Sequence, residues 1–289
     1  VLKKSGLGFF NGLSRPISRE ETAMPFLSLD RETCKRDYVC IEECPLGLLE
    51  PDADGFPTAA AGAEEACVGC GHCVVFCPND SLVIHGKVRI ASMDCPPIRK
   101  NILPSPEAVE QLLRARRSIR TYKPMPVPRE MLARLIDTAR YAPTGLNRQN
   151  VHWTVIENPE TTRQIAGLVA DWLRQTQLFP SLVAAWDQGR DTILRGAPHL
   201  LIAHAPATAF KTDVDGVIAG VFLDLAAQAH GLGSCWAGFI MRAAESYAPL
   251  LQALSLPAGH AVQSAHMIGY PKHRPRRIPP RLPANIRWI

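Results

Sequence analysis

From residue 105 onward the apolar positions recur mostly at helical spacing. Ser105-Pro106-Glu107 reads as a helix start, a hydroxyl cap followed by proline at the first helical position, and Val109, Leu112 and Leu113 form the apolar stripe behind it. A second helix opens at Pro128 and sets Leu132, Leu135, Ile136 and Ala139 on one face. It stops before Pro143, because a proline ring crowds the residue ahead of it out of the helical region. Val217 to His230, closed by Gly231, and Ala243 to Leu254 read as two more helices. Strand patterns fall between them at Val151 to Glu157, His199 to His204 and Ala261 to Ile268. The N-terminal third differs. Only Ser81 to Ile90 alternates enough for a strand, and Asp52, Asp54-Gly55 and Pro57 read as turns. Pro96-Pro97 and then Pro104 mark a linker. The expected organisation is an unassigned extension at residues 1–24, a small domain at 25–100, and an α+β domain at 101–289 with a basic tail.

Composition changes this picture little. With 289 residues, 46% hydrophobic and 20% charged, the chain is ordinary for a globular protein of two domains. The most apolar stretch, Val217 to Ala229, is interrupted by Asp224 and Gln228, so no membrane span is expected. Lys3 and Lys4 are not followed by an apolar run of signal-peptide length; export is not indicated, and Met24 stands as an alternative start after Val1. The net charge of +5 sits largely near the end, at Lys272, Arg274, Arg276, Arg277, Arg281 and Arg287. Prolines interleave these residues and no aromatics are spaced to stack bases, which argues against nucleic acid and for the phosphate of a small cofactor.

Candidate chemistry is concentrated in two cysteine runs, Cys34-x5-Cys40-x3-Cys44-Pro45 and Cys67-x2-Cys70-x2-Cys73-x3-Cys77-Pro78. The second is a complete bacterial ferredoxin signature; the first is the same signature with Asp37 in the slot of its second cysteine. Structural zinc fits less well, since zinc takes four ligands in two pairs, and no disulfide pattern emerges. In such runs the cysteine before proline crosses to the other cluster. Cys67, Cys70, Cys73 and Cys44 are therefore expected to hold one 4Fe-4S cluster. Cys34, Cys40 and Cys77 remain for a second, which is either a 4Fe-4S cluster with Asp37 as its fourth ligand or a 3Fe-4S cluster beside a solvated carboxylate. Cys95 and Cys235 read as packed thiols. Cluster thiolates point to the reducing cytoplasm.

Four further motifs follow in order: Arg116-Arg117-Ser118-Ile119-Arg120, Ala142-Pro143-Thr144-Gly145-Leu146-Asn147-Arg148-Gln149, Gly231-Leu232-Gly233-Ser234-Cys235-Trp236-Ala237-Gly238, and Ile268-Gly269-Tyr270-Pro271 before the basic tail. Together they resemble the FMN-dependent nitroreductase family, and with the cysteine runs the chain resembles its ferredoxin-fused branch. The resemblance implies a small two-cluster ferredoxin-like domain followed by a nitroreductase-type α+β FMN domain, in a homodimer. It assigns Arg116, Arg117 and Ser118 to the FMN phosphate and ribityl chain, where a guanidinium fork suits a phosphate, and Arg120 to the pyrimidine edge. Arg276 and Arg277 are expected to complete the phosphate site, with Arg274 the alternative. Ala237 and Gly238 match the segment whose backbone amide faces the flavin N5, and Pro143, Thr144, Gly145 and Asn147 match the loop reaching the flavin from the other subunit.

The implied activity is that of an iron-sulfur flavoprotein oxidoreductase, fed by a ferredoxin-like or other one-electron donor or by NAD(P)H, and reducing a small organic acceptor. The alternatives are a non-catalytic relay to a protein partner and a NAD(P)H-dependent flavin reductase. No catalytic residue is assigned, since the flavin carries the chemistry. His152, His199, His204, His230, His260 and His266 read as packed residues, and Trp236 as a wall of the site.

Overall fold

Short apolar runs between the cysteines fold as small elements. The computed structural model describes residues 25–289, in two units that divide between Pro97 and Ile98. The unassigned stretch 1–24, with Met24, lies outside the described residues. In the first unit, β1 (Leu27–Leu29), β4 (Leu82–His85) and β5 (Arg89–Ala91) make an antiparallel sheet in the order β1-β4-β5. A second hairpin joins β2 (Leu49–Pro51) to β3 (Pro57–Ala59). The single strand expected at Ser81 to Ile90 is thus a hairpin. Gly86 opens its bend, and folding back sets Ile84 opposite Ile90 over a common core. Helices are single turns: α1 (Val39–Glu42), α2 (Ala63–Ala66) and α3 (His72–Val75). The buried core is Cys40, Leu49, Val74, Leu82 and Ile84.

The second unit is a four-stranded antiparallel sheet between helices. Its strands β6 (His152–Ile156), β7 (His199–Pro206), β8 (Gly233–Trp236) and β9 (His260–Gly269) lie in the order β6-β7-β9-β8. Its helices are α4 (Pro106–Ala115), α5 (Arg129–Ala139), α6 (Pro159–Thr176), α7 (Pro180–Asp187), α8 (Thr212–Ala229), α9 (Gly238–Ala243) and α10 (Ala248–Leu254). Strand alternation divides the core: Leu200 and Ile202 of β7 pack with α6, α9 and α10, whereas Leu201 packs with α5 and α8. Each face buries apolar area at roughly 25 cal/mol per Å2.

Several local expectations need correction. Ser105 caps α4, its Oγ accepting from the Ala108 N–H at 3.2 Å, but Val109 and Leu113 are exposed, so the α4 stripe is not a core stripe within the unit. Ile136 is only partly buried on α5. The helix expected from Ala243 to Leu254 is broken, because Pro249 has no N–H to continue a ladder and stands in the first turn of a new helix, α10. α8 starts at Thr212 rather than Val217, with Asp213 and Asp215 in a first turn that favours negative charge. The glycines of Gly231-Leu232-Gly233 concealed the short edge strand β8.

Candidate functional site

The two cysteine runs fold as a repeat. Tyr38 (φ 61) and Gly71 (φ 77) each place a left-handed residue before α1 and α3. Each repeat then closes the same way: the Leu48 N–H points at Cys44 Sγ (3.3 Å), and the Ser81 N–H at Cys77 Sγ (3.5 Å). Gly69 N–H approaches Cys67 Sγ at 3.4 Å. Such amide–sulfur bonds stabilise thiolate charge.

Cys44, Cys67, Cys70 and Cys73, distant in sequence but grouped by the crossover rule, line one cavity of about 30 Å3 together with Leu46, Leu48, Ile84 and Ile90. Burial first, then the neighbouring Cys70, Cys44 and Cys67, push the Cys73 thiol up to about 12. Cys40 belongs to the other group: burial, then Cys77 and, more weakly, Cys34, push it up to about 11. Four thiols crowded in an apolar cage resist ionising together unless a cation offsets their charge. Asp37 is exposed and engaged locally, Oδ1 accepting from the Val39 N–H and Oδ2 from Asn79 Nδ2, both at 3.3 Å. Among the described residues, no three or more His, Cys, Asp or Glu side chains gather to hold a single metal ion.

In the second unit the 116–120 segment runs beside β8, the Ile119 N–H donating to the Ser234 carbonyl at 2.9 Å. A Cβ at Gly233 would lie 2.7 Å from Ile119 Cγ2, so this approach requires glycine. Arg116 pairs with buried Asp224 of α8 at 3.0 Å; burial pushes the Asp224 carboxyl up against the pull of that guanidinium. Arg117 donates to the Arg116 carbonyl, while its buried Nε has no hydrogen-bond partner among the described residues. Ser118 sits half-buried between them and Arg120.

Arg120, Trp236, Ala237 and Gly238 line a cavity of about 300 Å3 with Thr192, Arg195, Phe239 and Arg242. The Ala237 N–H is already held by the Ala265 carbonyl at 2.8 Å. Gly238, opening α9, is left with an amide that has no intrahelical acceptor. Nothing lies within 4 Å of where its Cβ would stand, so the missing side chain leaves open space at the cavity. Trp236 meets the His266 ring edge-on at 4.5 Å.

Pro143, Thr144, Gly145 and Asn147 do not line this cavity within the chain; Thr144 lines a separate one of about 220 Å3 with Ala142 and Trp153. Their loop is fixed by the Gly145 N–H on Asp215 Oδ1 (2.9 Å) and the Gln149 N–H on Thr144 Oγ1 (3.0 Å). At the tail, Arg274 donates to the Gly231 carbonyl at 2.9 Å, while Arg276 and Arg277 are exposed. Sequence reasoning missed Asp224, Thr192, Arg195 and Arg242. Asp224 had left one signal, as the acid interrupting the apolar run of α8.

Comparison with known proteins identifies the family and the fold. A family model described as the nitroreductase family matches residues 113–270, more than half of the chain. FMN reductase (NAD(P)H) of Bacillus subtilis is 29% identical over 172 residues, 58% of this chain and 67% of that protein. The B component of the anaerobic dimethyl sulfoxide reductase of Haemophilus influenzae is 36% identical over 56 residues, 19% of this chain and 25% of that protein. In fold, the chain is similar to a nitroreductase with bound FMN from Bacteroides fragilis, with a TM-score of 0.53, 21% identity, and coverage of 63% of this chain and 97% of that one. The family model spans both the segment beside β8 and the Gly238 cavity, and its match over more than half of the chain gives the conclusion: the chain belongs to the nitroreductase family of FMN-dependent oxidoreductases.

Proposed function

We propose that the chain is an iron-sulfur flavoenzyme that takes electrons singly through two clusters in its first unit and delivers them in pairs, from FMN in its second, to a small organic acceptor. The carrying observation is the cavity lined by Cys44, Cys67, Cys70 and Cys73, a cluster donor set in a chain of a flavin-dependent family. The residues fit a cluster: four thiols, amide–sulfur bonds and an apolar surround. The small core of the first unit points the same way, because domains of this size usually lean on a metal or another staple. Cys34, Cys40 and Cys77 hold the second cluster, with Asp37 its fourth ligand or, in a three-iron form, its neighbour.

The second unit likewise fits FMN. Arg117 has a buried donor awaiting an acceptor, and the absent side chain of Gly238 leaves room against a backbone amide. When bound, FMN supplies the conversion between one-electron and two-electron chemistry. The protein's part is to bind and orient it. Arg117 and Arg116 hold the phosphate, Asp224 holds Arg116 in place, Ser118 contacts the ribityl chain, Arg120 lies at the pyrimidine edge, and Gly238 offers its amide at N5. Arg274, docked against Gly231, is a better candidate for the phosphate site than the exposed Arg276 and Arg277.

Val214, Val217 and Val221 make an exposed apolar stripe along α8, flanked in sequence by exposed Phe210. Such a stripe supports a homodimer in which the 143–147 loop serves the partner's flavin. No helix among the described residues is long and apolar enough to cross a membrane. A cytoplasmic location follows from the cluster thiolates. The donor is a reduced ferredoxin-like protein or NAD(P)H, and the acceptor is of nitroaromatic, quinone or enone type.

Anaerobic purification with assay of iron, acid-labile sulfide and flavin tests the reading. It expects FMN and roughly two clusters per chain; zinc without flavin would sink it.

A further inference from the structure

We propose that Arg195 and Arg242 form an anion subsite in the flavin cavity and select acceptors that carry a carboxylate on a planar apolar body. The inference rests on the flavin reading above and adds the substrate class. The cavity of about 300 Å3 has aromatic walls, Phe179 and Phe239 meeting edge-to-face at 5.4 Å and Trp236 completing them. Among the described residues, no Asp or Glu lines it. Neither Arg195 nor Arg242 is in an ion pair among the described residues, unlike Arg116, whose charge is met by Asp224.

Arg195 and Arg242 are both exposed at the cavity, and the backbone that carries Arg195 is held in place. Asp191 accepts from the Ile193 and Leu194 N–H groups, each at 2.9 Å, and from the Gly196 N–H at 2.8 Å, clamping the backbone on both sides of it. Arg195 itself is left-handed (φ 59), a conformation that residues with a Cβ adopt only when their surroundings impose it. Thr192 adds a buried hydroxyl that has no hydrogen-bond partner among the described residues and lines the same cavity. Arg242 comes from α9, four residues after Gly238, with its guanidinium carbon 6.0 Å from the Trp172 ring centroid. Two guanidiniums and a hydroxyl around an aromatic-walled space suit a planar molecule with an anionic end, because charge-assisted hydrogen bonds hold a carboxylate and ring walls hold the body.

Matched probes test this on the full holoenzyme. Bound FMN is photoreduced anaerobically, so that no nicotinamide enters, and its reoxidation by 4-nitrobenzoate or by neutral 4-nitrobenzamide is followed by stopped flow. Each nitro group takes two electrons and two protons to give a nitroso group and water, with reduced FMN as the reductant. In Arg195→Gln/Arg242→Gln, the benzoate-to-benzamide ratio of second-order rate constants is expected to fall about tenfold or more from that of the unaltered protein. A ratio within twofold of the unaltered one overturns the proposal, and so does loss of FMN from the variant, which would assign these arginines to the cofactor phosphate. Binding of benzoate and benzamide to the unaltered oxidised protein, read from the flavin spectrum, is an independent check; equal affinities overturn the proposal without recourse to a variant. Absence of FMN from the purified protein would refute the flavin reading itself, before either arm begins.

Discussion

At Gly238 the backbone has no conformational need for glycine, since its φ is not among the positive ones, and no neighbouring atom would obstruct a Cβ. On the proposed flavin reading, what glycine supplies there is empty space beside an amide. Gly238→Val is expected to weaken FMN binding by at least about tenfold by filling that space, with little effect on folding; retained flavin and far-UV circular dichroism check the two halves separately. Asp37 presents the opposite case, a side chain whose oxygens already have partners in Val39 and Asn79. Replacing it should free those partners and restore the full signature. Asp37→Cys is expected to favour a four-iron cluster and shift its potential while FMN binding is kept. An unchanged EPR spectrum and potential would make Asp37 a loop carboxylate and nothing more.

Among the elements, the sheet of the second unit gathers residues that no local motif connects. His152, His204 and His260 stand on β6, β7 and β9, with His204 Nδ1 at 2.9 Å from His260 Nδ1. One ring must donate there and the other accept, so the contact is lost when both are protonated. Burial first, then His260 and His152, hold His204 down to about 4, against 6.5 for a free imidazole. Between those values the unfolded chain binds more protons than the folded one, so stability falls as pH drops from about 6.5 towards 4 and levels off below. Tryptophan reports this unit alone, since Trp153, Trp172, Trp186, Trp236 and Trp288 all lie in it. The expected outcome is a lower urea midpoint at pH 5 than at pH 7, with a smaller difference in His204→Gln; equal pH dependence in both proteins would exclude the histidine cluster as its source. The same non-local assembly explains what was legible beforehand. Helix starts at Ser105-Pro106 and Pro128 are local signals and were readable, and the spacing of the runs had already put Cys44 with Cys67, Cys70 and Cys73, which line one cavity. Arg195 and Arg242 were not, since nothing near them in sequence says that a loop and α9 will line one cavity.

The whole molecule joins two units in one chain: a first whose cysteines group across its repeat, and a second with the nitroreductase fold. On the proposed reading, clusters in the first unit and flavin in the second would make functional sense together, because a one-electron supply needs a cofactor that can pair electrons. The most direct measurement mixes the oxidised, fully loaded protein with reduced ferredoxin, NADH or NADPH in a stopped-flow spectrometer, and repeats it with Cys73→Ser. Reduced ferredoxin is predicted to bleach the cluster absorbance before the flavin, and Cys73→Ser to retain FMN but slow its reduction by ferredoxin at least about tenfold. Equal rates of flavin reduction by ferredoxin in the two proteins would contradict the account.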